Sequence, residues 1–274
     1  MSPQHNEQPT AAERGQVSTA AAELYEAFFV PALFGQFAEP VLDFAGVGPS
    51  ARVLDVGCGT GVLARAARRR VGREVDVIAV DPNDGMRAVA RRCDPTVDWQ
   101  AGAAEALPFE DRAFDHVISQ FAAMFFVDRT RAVAEMARVA VDGGTVTLVT
   151  WAGLDRTPGY AAMVDLIAAE LGDDAADALR APFVLGDLDD VVALLEPAGS
   201  RLRLHELTGT ARFPSIADWV HTDVRGWTLS ELVDDDGEAA LLARAERDLV
   251  RFVTADGHVA FPAPAIVAAV TIAG

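Results

Sequence analysis

The sequence is poor in cysteine and in long apolar runs, and each shortage excludes a class of protein. Its 274 residues contain two cysteines, Cys58 and Cys93, too few for a disulfide framework or for a zinc site with four thiolates. No run of about 18 or more apolar residues is free of charges, so no transmembrane helix is predicted. Residues 1–16 lack the apolar stretch of a secretory signal, and we expect them to form a disordered leader. A cytoplasmic location is the default expectation.

Positive charge is also scarce. Lysine and arginine number 23 against 41 aspartates and glutamates, which gives a formal net charge of −18. A nucleic-acid binder must neutralise phosphates with cations, and an acidic membrane surface repels an acidic protein. We therefore expect neither nucleic acid nor a membrane as partner, and we expect a small-molecule substrate. Composition does not determine the oligomeric state.

The apolar residues that are present follow an alternating strand and helix pattern. They make up 51% of the chain, enough for a sizeable core. Short apolar runs between residues 52 and 151, the first at Arg52–Val56, alternate with segments of helical periodicity, which predicts a parallel sheet covered on both faces. We expect a single domain over 17–274, with an N-terminal helical cover at 17–50 in which Pro31 interrupts the helix or starts a new turn. The domain core is predicted at 51–151, and a helical insertion at 213–257 is expected to cover the cleft as a lid.

The turn after the first strand carries the strongest functional signal, VLDVGCGTG at residues 53–61. Gly57, Gly59 and Gly61 permit a tight turn and the close approach of a ligand, and open α/β sheets bind ligands beyond the carboxyl ends of their strands. A dinucleotide site uses G-x-G-x-x-G with pyrophosphate at the helix N-terminus, whereas the spacing here is G-x-G-x-G. Asp55 precedes the glycines and would repel a pyrophosphate. The segment therefore favours a cofactor with a cationic amino acid end, such as S-adenosylmethionine (SAM).

Asp81 ends the second predicted strand, where a carboxylate can accept hydrogen bonds from both hydroxyls of a ribose. A ribose-binding acid supports any nucleoside cofactor, NAD included. Asp81 therefore predicts the ribose, and the glycine spacing together with Asp55 selects SAM over NAD. The alternative is a glycine-rich turn used only for packing, with Asp81 capping the next helix.

These segments resemble class I SAM-dependent methyltransferases, especially the ubiquinone/menaquinone-biosynthesis-like group. The resemblance rests on VLDVGCGTG, AVDPNDGM, GAAEALPFEDRAFDHVISQF and VDGGTVTLVTW, within residues 52–151, and is looser elsewhere. It implies an α/β, Rossmann-like fold with a seven-stranded, mostly parallel sheet of order 3-2-1-4-5-7-6, in which strand 7 is antiparallel. It also implies methyl transfer from SAM to a small acceptor through oxygen, carbon or nitrogen, with S-adenosylhomocysteine as the product.

The resemblance also assigns cofactor contacts to residues of this chain. It places the amino acid part of SAM against Gly57, Cys58 and Gly59, and the ribose on Asp81. The adenine would lie between Pro82 and Met86, with its edge facing Ala103, Ala104 and Glu105. The sulfonium would lie above Gln120 and Phe121. The family usually has Gly-Asp-Ala-Glu where this chain has Gly102-Ala103-Ala104-Glu105. The side chain that often accepts a hydrogen bond from the adenine amino group is therefore missing at Ala103.

Further candidates surround this core. Similar proteins cover SAM with residues before the first strand, which makes Tyr25, Phe29, Phe34 and Gln36 candidate contacts, Tyr25 first because its hydroxyl can reach the cofactor carboxylate. After the fourth strand, Phe121 and Phe125, with Met124 and Phe126, are expected to form an apolar wall, because aromatic faces suit a sulfonium cation. Ordinary core packing is the alternative interpretation for every one of these side chains.

No catalytic residue and no metal site are predicted. Methyl transfer needs no fixed catalytic triad. Of the five histidines, His221, beside Trp219, is the one candidate for a general base, with a solvent-facing helical position as the alternative. The acidic run Asp234–Gly237 is consecutive rather than alternating, so it predicts a turn before a helix and not a calcium loop. Cys58 is interpreted as a compact filler of the glycine turn. A SAM-binding protein that does not methylate remains an alternative, and an NAD-dependent oxidoreductase is less favoured.

Overall fold

The computed structural model describes residues 18–72, 74–226, 229 and 232–273. The expected leader at 1–16 lies outside these residues. Within the described ranges, none of the helices is long and apolar enough to cross a membrane.

A seven-stranded sheet occupies the centre of the protein. Its strands are β1 (Val53–Val56), β2 (Val77–Asp81), β3 (Asp98–Ala101), β4 (Phe114–Gln120), β5 (Ala140–Trp151), β6 (Ser200–Leu207) and β9 (Ala265–Thr271). Their order is β3-β2-β1-β4-β5-β9-β6, and β9 runs antiparallel to both β5 and β6. The predicted order is confirmed, with β9 as the antiparallel seventh strand of the sheet.

Helices cover the two faces of the sheet. Before β1 come α1 (Thr19–Leu24), a π-helical segment (Tyr25–Phe34) and α2 (Ala38–Ala45). The core then contains α3 (Val62–Val71), α4 (Asp84–Cys93) and α5 (Arg129–Val139), and β5 is followed by α6 (Pro158–Leu171), α7 (Asp173–Arg180) and α8 (Leu188–Leu195). Asn83 and Asp128 are short polar residues of the type that favours the N-cap position, and both cap helices here: Asn83 accepts a hydrogen bond from the Met86 N–H at 2.8 Å, and Asp128 accepts one from the Arg131 N–H at 2.9 Å.

The segment between β6 and β9 contains two helices held between two short strands. Strands β7 (Thr210–Phe213) and β8 (Val259–Pro262) pair with each other in a separate antiparallel sheet. Between them lie α9 (Ile216–Arg225) and α10 (Asp235–Asp248). The predicted helical insertion at 213–257 thus contains helices as expected. Its role as a lid stays a prediction.

Two local expectations differ from the structure. Pro31 lies inside the π-helical segment rather than interrupting the helix, because a wider π turn relieves the clash between a proline ring and the carbonyl four residues earlier. The Gly143-Gly144 pair predicts a turn followed by a strand from Thr145, whereas strand β5 begins five residues earlier, at Ala140. A register shift against β4, which pairs Phe114 with Ala140 but His116 with Thr145, lets the strand continue past Gly143, whose φ is +79°.

Candidate functional site

A cleft of about 370 Å³ opens at the carboxyl ends of β1, β2 and β4, within the range of roughly 300–1,000 Å³ common for small-molecule sites. The predicted site residues that line it are Tyr25, Phe34, Asp55, Gly57, Cys58, Gly59, Asp81, Pro82, Met86, Ala103, Ala104, Glu105, Gln120, Phe121 and Phe125. Phe126, expected in the apolar wall, also lines the cleft, and the lining is completed by residues that the sequence did not single out, namely Thr60, Val62, Leu63, Ala122 and Val127, together with Gly102. The parallel strands bring these separate motifs to one edge of the sheet.

Gln36 lies outside the cleft lining. Its side-chain amide donates to the carbonyl oxygens of Leu33 at 2.7 Å and Thr210 at 3.0 Å, and its Oε1 accepts from the Thr210 N–H at 3.0 Å. Gln36 therefore fastens the N-terminal segment to β7. Its amide is engaged by the protein itself.

The glycines of the turn have different surroundings. At Gly61, with φ +88°, an added Cβ would lie 2.1 Å from the Trp99 ring, so this glycine is required for packing. At Gly59, with φ +55°, an added Cβ would meet no atom within 4 Å. Gly59 therefore presents bare backbone to the open space of the cleft, as close approach of a ligand requires.

Asp81 joins the end of β2 to the glycine turn. Its Oδ2 accepts a hydrogen bond from the Gly59 N–H at 2.9 Å, and its Oδ1 accepts one from the Asn83 N–H at 2.8 Å. Burial raises the pKa of the Asp81 carboxyl, and these two N–H donors oppose the rise. Each carboxylate oxygen retains a further lone pair. A ribose hydroxyl in the cleft can therefore donate to either oxygen without breaking the internal hydrogen bonds.

Asp55 lies beneath the turn and is 1% exposed. Its Oδ2 accepts a hydrogen bond from the Ala64 N–H at 3.0 Å, in the first turn of α3. Burial raises the pKa of Asp55 to about 7, an effect that the Ala64 N–H opposes and the nearby charge of Asp81 reinforces. Two buried acids on one side of the cleft make it favourable for a cationic group.

Two buried polar atoms of cleft-lining residues lack hydrogen-bond partners among the described residues: Thr60 Oγ1 and Gln120 Oε1. Buried polar atoms in native proteins are almost always paired, so these two are available to a ligand. Together with Asp55, Asp81 and the bare backbone of Gly59, they fit a nucleoside with a cationic amino acid end.

Glu105 borders the cleft, and one of its carboxylate oxygens is already engaged by the backbone. Glu105 Oε1 accepts hydrogen bonds from the backbone N–H groups of Val127 at 2.7 Å and Asp128 at 3.2 Å, just before α5. Because Ala103 and Ala104 carry no polar side chain, the hydrogen-bonding groups at this edge of the cleft are those of the backbone.

A smaller aromatic cavity adjoins the cleft and shares Phe34, Phe121 and Phe125 with it. The Phe121 ring stacks on Trp151, with centroids 3.8 Å apart and planes 12° apart. The residues that line this aromatic cavity are Phe29, Leu33, Phe34, Phe121, Phe125, Trp151, Tyr160, Leu179, Pro182, Phe183, Asp223 and Leu229. Phe29, a sequence candidate for the cleft, lies here instead.

Sequence reasoning missed Tyr160 and Asp223, which come from α6 and α9. One signal was available: Asp223 follows Trp219 by four residues, so a helix places it on the same face as an apolar aromatic residue. An acid on the buried face of an amphipathic helix is unusual. Tyr160, the neighbour of Asp223, lies more than 60 residues away in the sequence, so no local pattern shows that the two residues line one cavity.

The remaining candidates have structural explanations. His221 Nδ1 lies 2.9 Å from Glu238 Oε1, its side chain is 47% exposed, and it lines neither the cleft nor the aromatic cavity. Asp234 caps α10 by accepting from the Gly237 N–H at 2.8 Å, which confirms the expected turn before a helix. Cys58 is buried in the turn, and burial raises the pKa of its thiol, which keeps the sulfur in its weakly nucleophilic protonated form.

Comparison with known proteins identifies the central segment. Residues 54–148 match the family described as a methyltransferase domain. The chain is 39% identical over 108 residues to a demethylmenaquinone methyltransferase of Renibacterium salmoninarum, covering 39% of this chain and 44% of the relative. It is 35% identical over 114 residues to a ubiquinone/menaquinone biosynthesis C-methyltransferase of Idiomarina loihiensis, covering 39% and 45%. The matches span between 39% and 52% of the length of such curated relatives.

Solved structures extend the likeness to the whole fold. The YcgJ protein of Bacillus subtilis superposes with a TM-score of 0.59 at 23% identity, covering 87% of this chain and 99% of that protein. The [4+2]-cyclase SpnF gives a TM-score of 0.61 at 17% identity, covering 97% and 98%. These likenesses establish the fold, and the family match confirms the predicted resemblance to methyltransferases over residues 54–148.

Proposed function

We propose that this chain, whose residues 54–148 form a methyltransferase domain, is a class I SAM-dependent methyltransferase that acts on a small molecule. One observation carries the proposal: Asp55, Asp81 and the bare backbone of Gly59 line one cleft. This combination suits a nucleoside with an ammonium group and disfavours a pyrophosphate.

The predicted contacts define how the chain would hold SAM. Asp81 would accept hydrogen bonds from the ribose, and Asp55 would attract the ammonium group that lies over Gly57, Cys58 and Gly59. Pro82 and Met86 would flank the adenine, whose edge would face the backbone of Ala103, Ala104 and Glu105. Tyr25, Phe34, Gln120, Phe121 and Phe125 would surround the sulfonium end.

The bound cofactor supplies a methyl group already activated for transfer by the positive sulfur. The task of the protein is to hold an acceptor atom roughly 3–3.5 Å from the methyl carbon in an in-line orientation and to exclude water. The rings of Phe34, Phe121 and Phe125 form the boundary between the cleft and the aromatic cavity, where both reactants would meet. The insertion that carries α9 and α10 would close this site as a lid.

The acceptor is proposed to be a small molecule in the cytoplasm, methylated on oxygen, carbon or nitrogen. The acidic net charge of −18 disfavours nucleic acid and anionic membranes. Two relatives bear the names of quinone-pathway methyltransferases, which supports an acceptor with a ring.

A second candidate is a protein that binds SAM without transferring its methyl group. The observation that favours it is the fold shared with SpnF, which is described as a [4+2]-cyclase. An aromatic cavity beside the cofactor cleft would suit either a methyl acceptor or a substrate that cyclises.

Calorimetric titration with SAM, S-adenosylhomocysteine and NAD tests the cofactor. We expect SAM and S-adenosylhomocysteine to bind and NAD not to bind. Binding of NAD with no binding of SAM would contradict the proposal. Release of S-adenosylhomocysteine during incubation with small phenols, quinones and amines then separates the two candidates. Tight SAM binding without release from any acceptor class would favour the non-methylating alternative.

A further inference from the structure

Three buried polar groups have no partner at full hydrogen-bond geometry among the described residues. Two of them line the aromatic cavity, and the third, an indole N–H, lies near enough to the acid to stabilise its charge. The three groups are the hydroxyl of Tyr160, the indole N–H of Trp219 and both carboxylate oxygens of Asp223. These residues are 4%, 0% and 1% exposed, respectively. The rings of Tyr160 and Trp219 are 6.3 Å apart in an edge-to-face arrangement. Leaving such groups unpaired costs stability, and in native proteins this calls for a functional explanation.

No neighbouring cation neutralises Asp223 in the described part of the chain. The basic residues of its own helix, His221 and Arg225, are paired with Glu238 on α10. The titratable groups near it are Tyr160 on α6 and, beyond it, Tyr25 of the π-helical segment. Burial raises the pKa of Asp223 well above its ordinary value, and the nearby Trp219 N–H only partly opposes this.

The aromatic cavity that Asp223 and Tyr160 border has a volume of about 40 Å³, compared with the roughly 10–15 Å³ that one water molecule requires. Its other lining side chains are apolar or aromatic. The cavity therefore has room for a functional group and the edge of a ring. It meets the cofactor cleft at Phe34, Phe121 and Phe125, so a group held here lies next to the proposed position of the sulfonium.

We propose that the aromatic cavity takes the hydroxylated edge of a phenol-class acceptor, with Asp223 receiving the hydroxyl proton and Tyr160 donating a hydrogen bond to the same oxygen. This assignment rests on the proposed methyltransferase function. It pairs two of the three unsatisfied groups with one ligand atom, and the apolar walls match a ring better than an aliphatic polar molecule.

The step balances in atoms and charge. The phenol O–H bond breaks, and its proton moves to the Asp223 carboxylate. The phenolate oxygen forms a bond to the methyl carbon while the carbon–sulfur bond breaks, and that electron pair returns to sulfur. The products are a methyl ether, neutral S-adenosylhomocysteine and protonated Asp223, which then returns its proton to solvent.

The binding test compares 4-fluorophenol with 4-fluorotoluene, in which a methyl group replaces the hydroxyl, by fluorine NMR with and without S-adenosylhomocysteine. In the unaltered protein, the phenol is expected to bind at least about tenfold more tightly, because a site built for a hydroxyl rejects the analogue that lacks it. Asp223→Leu is expected to reduce this preference to about twofold or less and Tyr160→Phe to reduce it in part, whereas Asp165→Asn, an exposed acid on α6, leaves it unchanged.

Asp223→Leu is expected to remain folded, because replacing an unpaired buried charge by an apolar residue of similar size is often stabilising, and thermal unfolding checks this. Equal binding of the two probes by the unaltered protein, or a preference that survives Asp223→Leu, would overturn the assignment. Failure of S-adenosylhomocysteine to bind would instead contradict the proposed cofactor, so the two failures are distinguishable.

The transfer test follows release of S-adenosylhomocysteine with 4-fluorophenol as acceptor. Asp223→Asn keeps the shape but accepts no proton, so kcat is expected to fall about 100-fold, a common loss for a missing general base, while the Kd for SAM stays the same. In the unaltered protein, kcat should rise with pH as the Asp223 carboxyl, whose pKa is raised, loses its proton. This rise should be absent in Asp223→Asn. An unchanged kcat or pH profile in Asp223→Asn, or no turnover of the phenol by the unaltered protein, refutes Asp223 as proton acceptor.

Discussion

The backbone N–H of Gly59 donates a hydrogen bond to Asp81 Oδ2 at 2.9 Å. This contact joins the glycine turn after β1 to the acid at the end of β2, two motifs 22 residues apart. The turn holds the carboxylate in the cleft, and the carboxylate in turn fixes the exposed backbone of Gly59. The two parts of the predicted cofactor site therefore depend on each other.

Asp81→Ala is expected to weaken SAM binding by about 2–3 kcal/mol, because hydrogen bonds to a charged group contribute roughly this much and the ribose hydroxyls would be left unpaired. Isothermal titration calorimetry gives the change in Kd. Asp98→Ala, at an exposed acid that begins β3, is the matched control and should bind SAM normally. An unchanged Kd for Asp81→Ala would mean that the ribose is held by other groups.

Gly59→Ala and Gly61→Ala are expected to fail in different ways. The methyl group at Gly59 enters open space, so the variant should fold with a loss of about 1 kcal/mol for its left-handed backbone, yet bind SAM at least about tenfold more weakly because the methyl group blocks close approach. The methyl group at Gly61 meets the Trp99 ring at 2.1 Å, so that variant should lose about 2–5 kcal/mol of stability. Urea denaturation and SAM titration separate the two effects, and equal losses of stability would contradict the assigned roles.

SAM affinity is expected to decrease as the pH falls below 7. Asp55 has a pKa of about 7 in the free protein, raised by burial, so it is mostly protonated at pH 5.5. The ammonium group of SAM favours the ionised carboxylate and lowers its pKa in the complex, so binding releases a proton and is weakened by acid. Between pH 7.5 and 5.5, the Kd should rise roughly 10- to 25-fold if Asp55 accounts for the linkage.

Methylthioadenosine provides the control for this pH dependence, because it has the nucleoside but no amino acid end. Its Kd should change far less over the same range, although its ribose also meets Asp81. A parallel change for both ligands would assign the pH dependence to Asp81 rather than Asp55, and Asp55→Asn should abolish the dependence for SAM alone.

At position 121, we expect a glycine variant to be more stable than an alanine variant, the reverse of the usual order. The φ of Phe121, +56°, is unfavourable for any residue with a Cβ, while its ring packs on Trp151. Both Phe121→Ala and Phe121→Gly should lose the ring packing, about 3–5 kcal/mol, but the glycine variant should be more stable than the alanine variant by about 1 kcal/mol. At Val117, an ordinary position in β4, alanine should be the more stable. Chemical denaturation of the four variants measures both differences.

The sequence was sufficient for features that depend on local spacing. The glycine turn and Asp81 end adjacent parallel strands, so their convergence follows from sheet geometry alone, and the predicted strand order agrees with the structure. Helix caps such as Asn83 were equally predictable, because the cap and its partner are three residues apart. An interruption of the helix at Pro31 was not confirmed, because the segment continues through it as a π-helix, and the width of a helical turn depends on how the segment packs.

The residues that line the aromatic cavity beside the cleft were decided by tertiary structure alone. The position of Gln36 in the sequence predicts a cofactor contact. In the structure its side-chain amide forms hydrogen bonds with the backbone of Thr210 in β7, because the N-terminal segment packs on the insertion. Asp223 and Tyr160 lie on different helices, 63 residues apart in sequence, and neither lies in a recognisable motif. They become a polar pair only where α6 and α9 pack beside Phe121 and withdraw both side chains from water. The sequence by itself determined which motifs converge on the cleft, whereas burial within the packed helices decided which polar groups line the aromatic cavity.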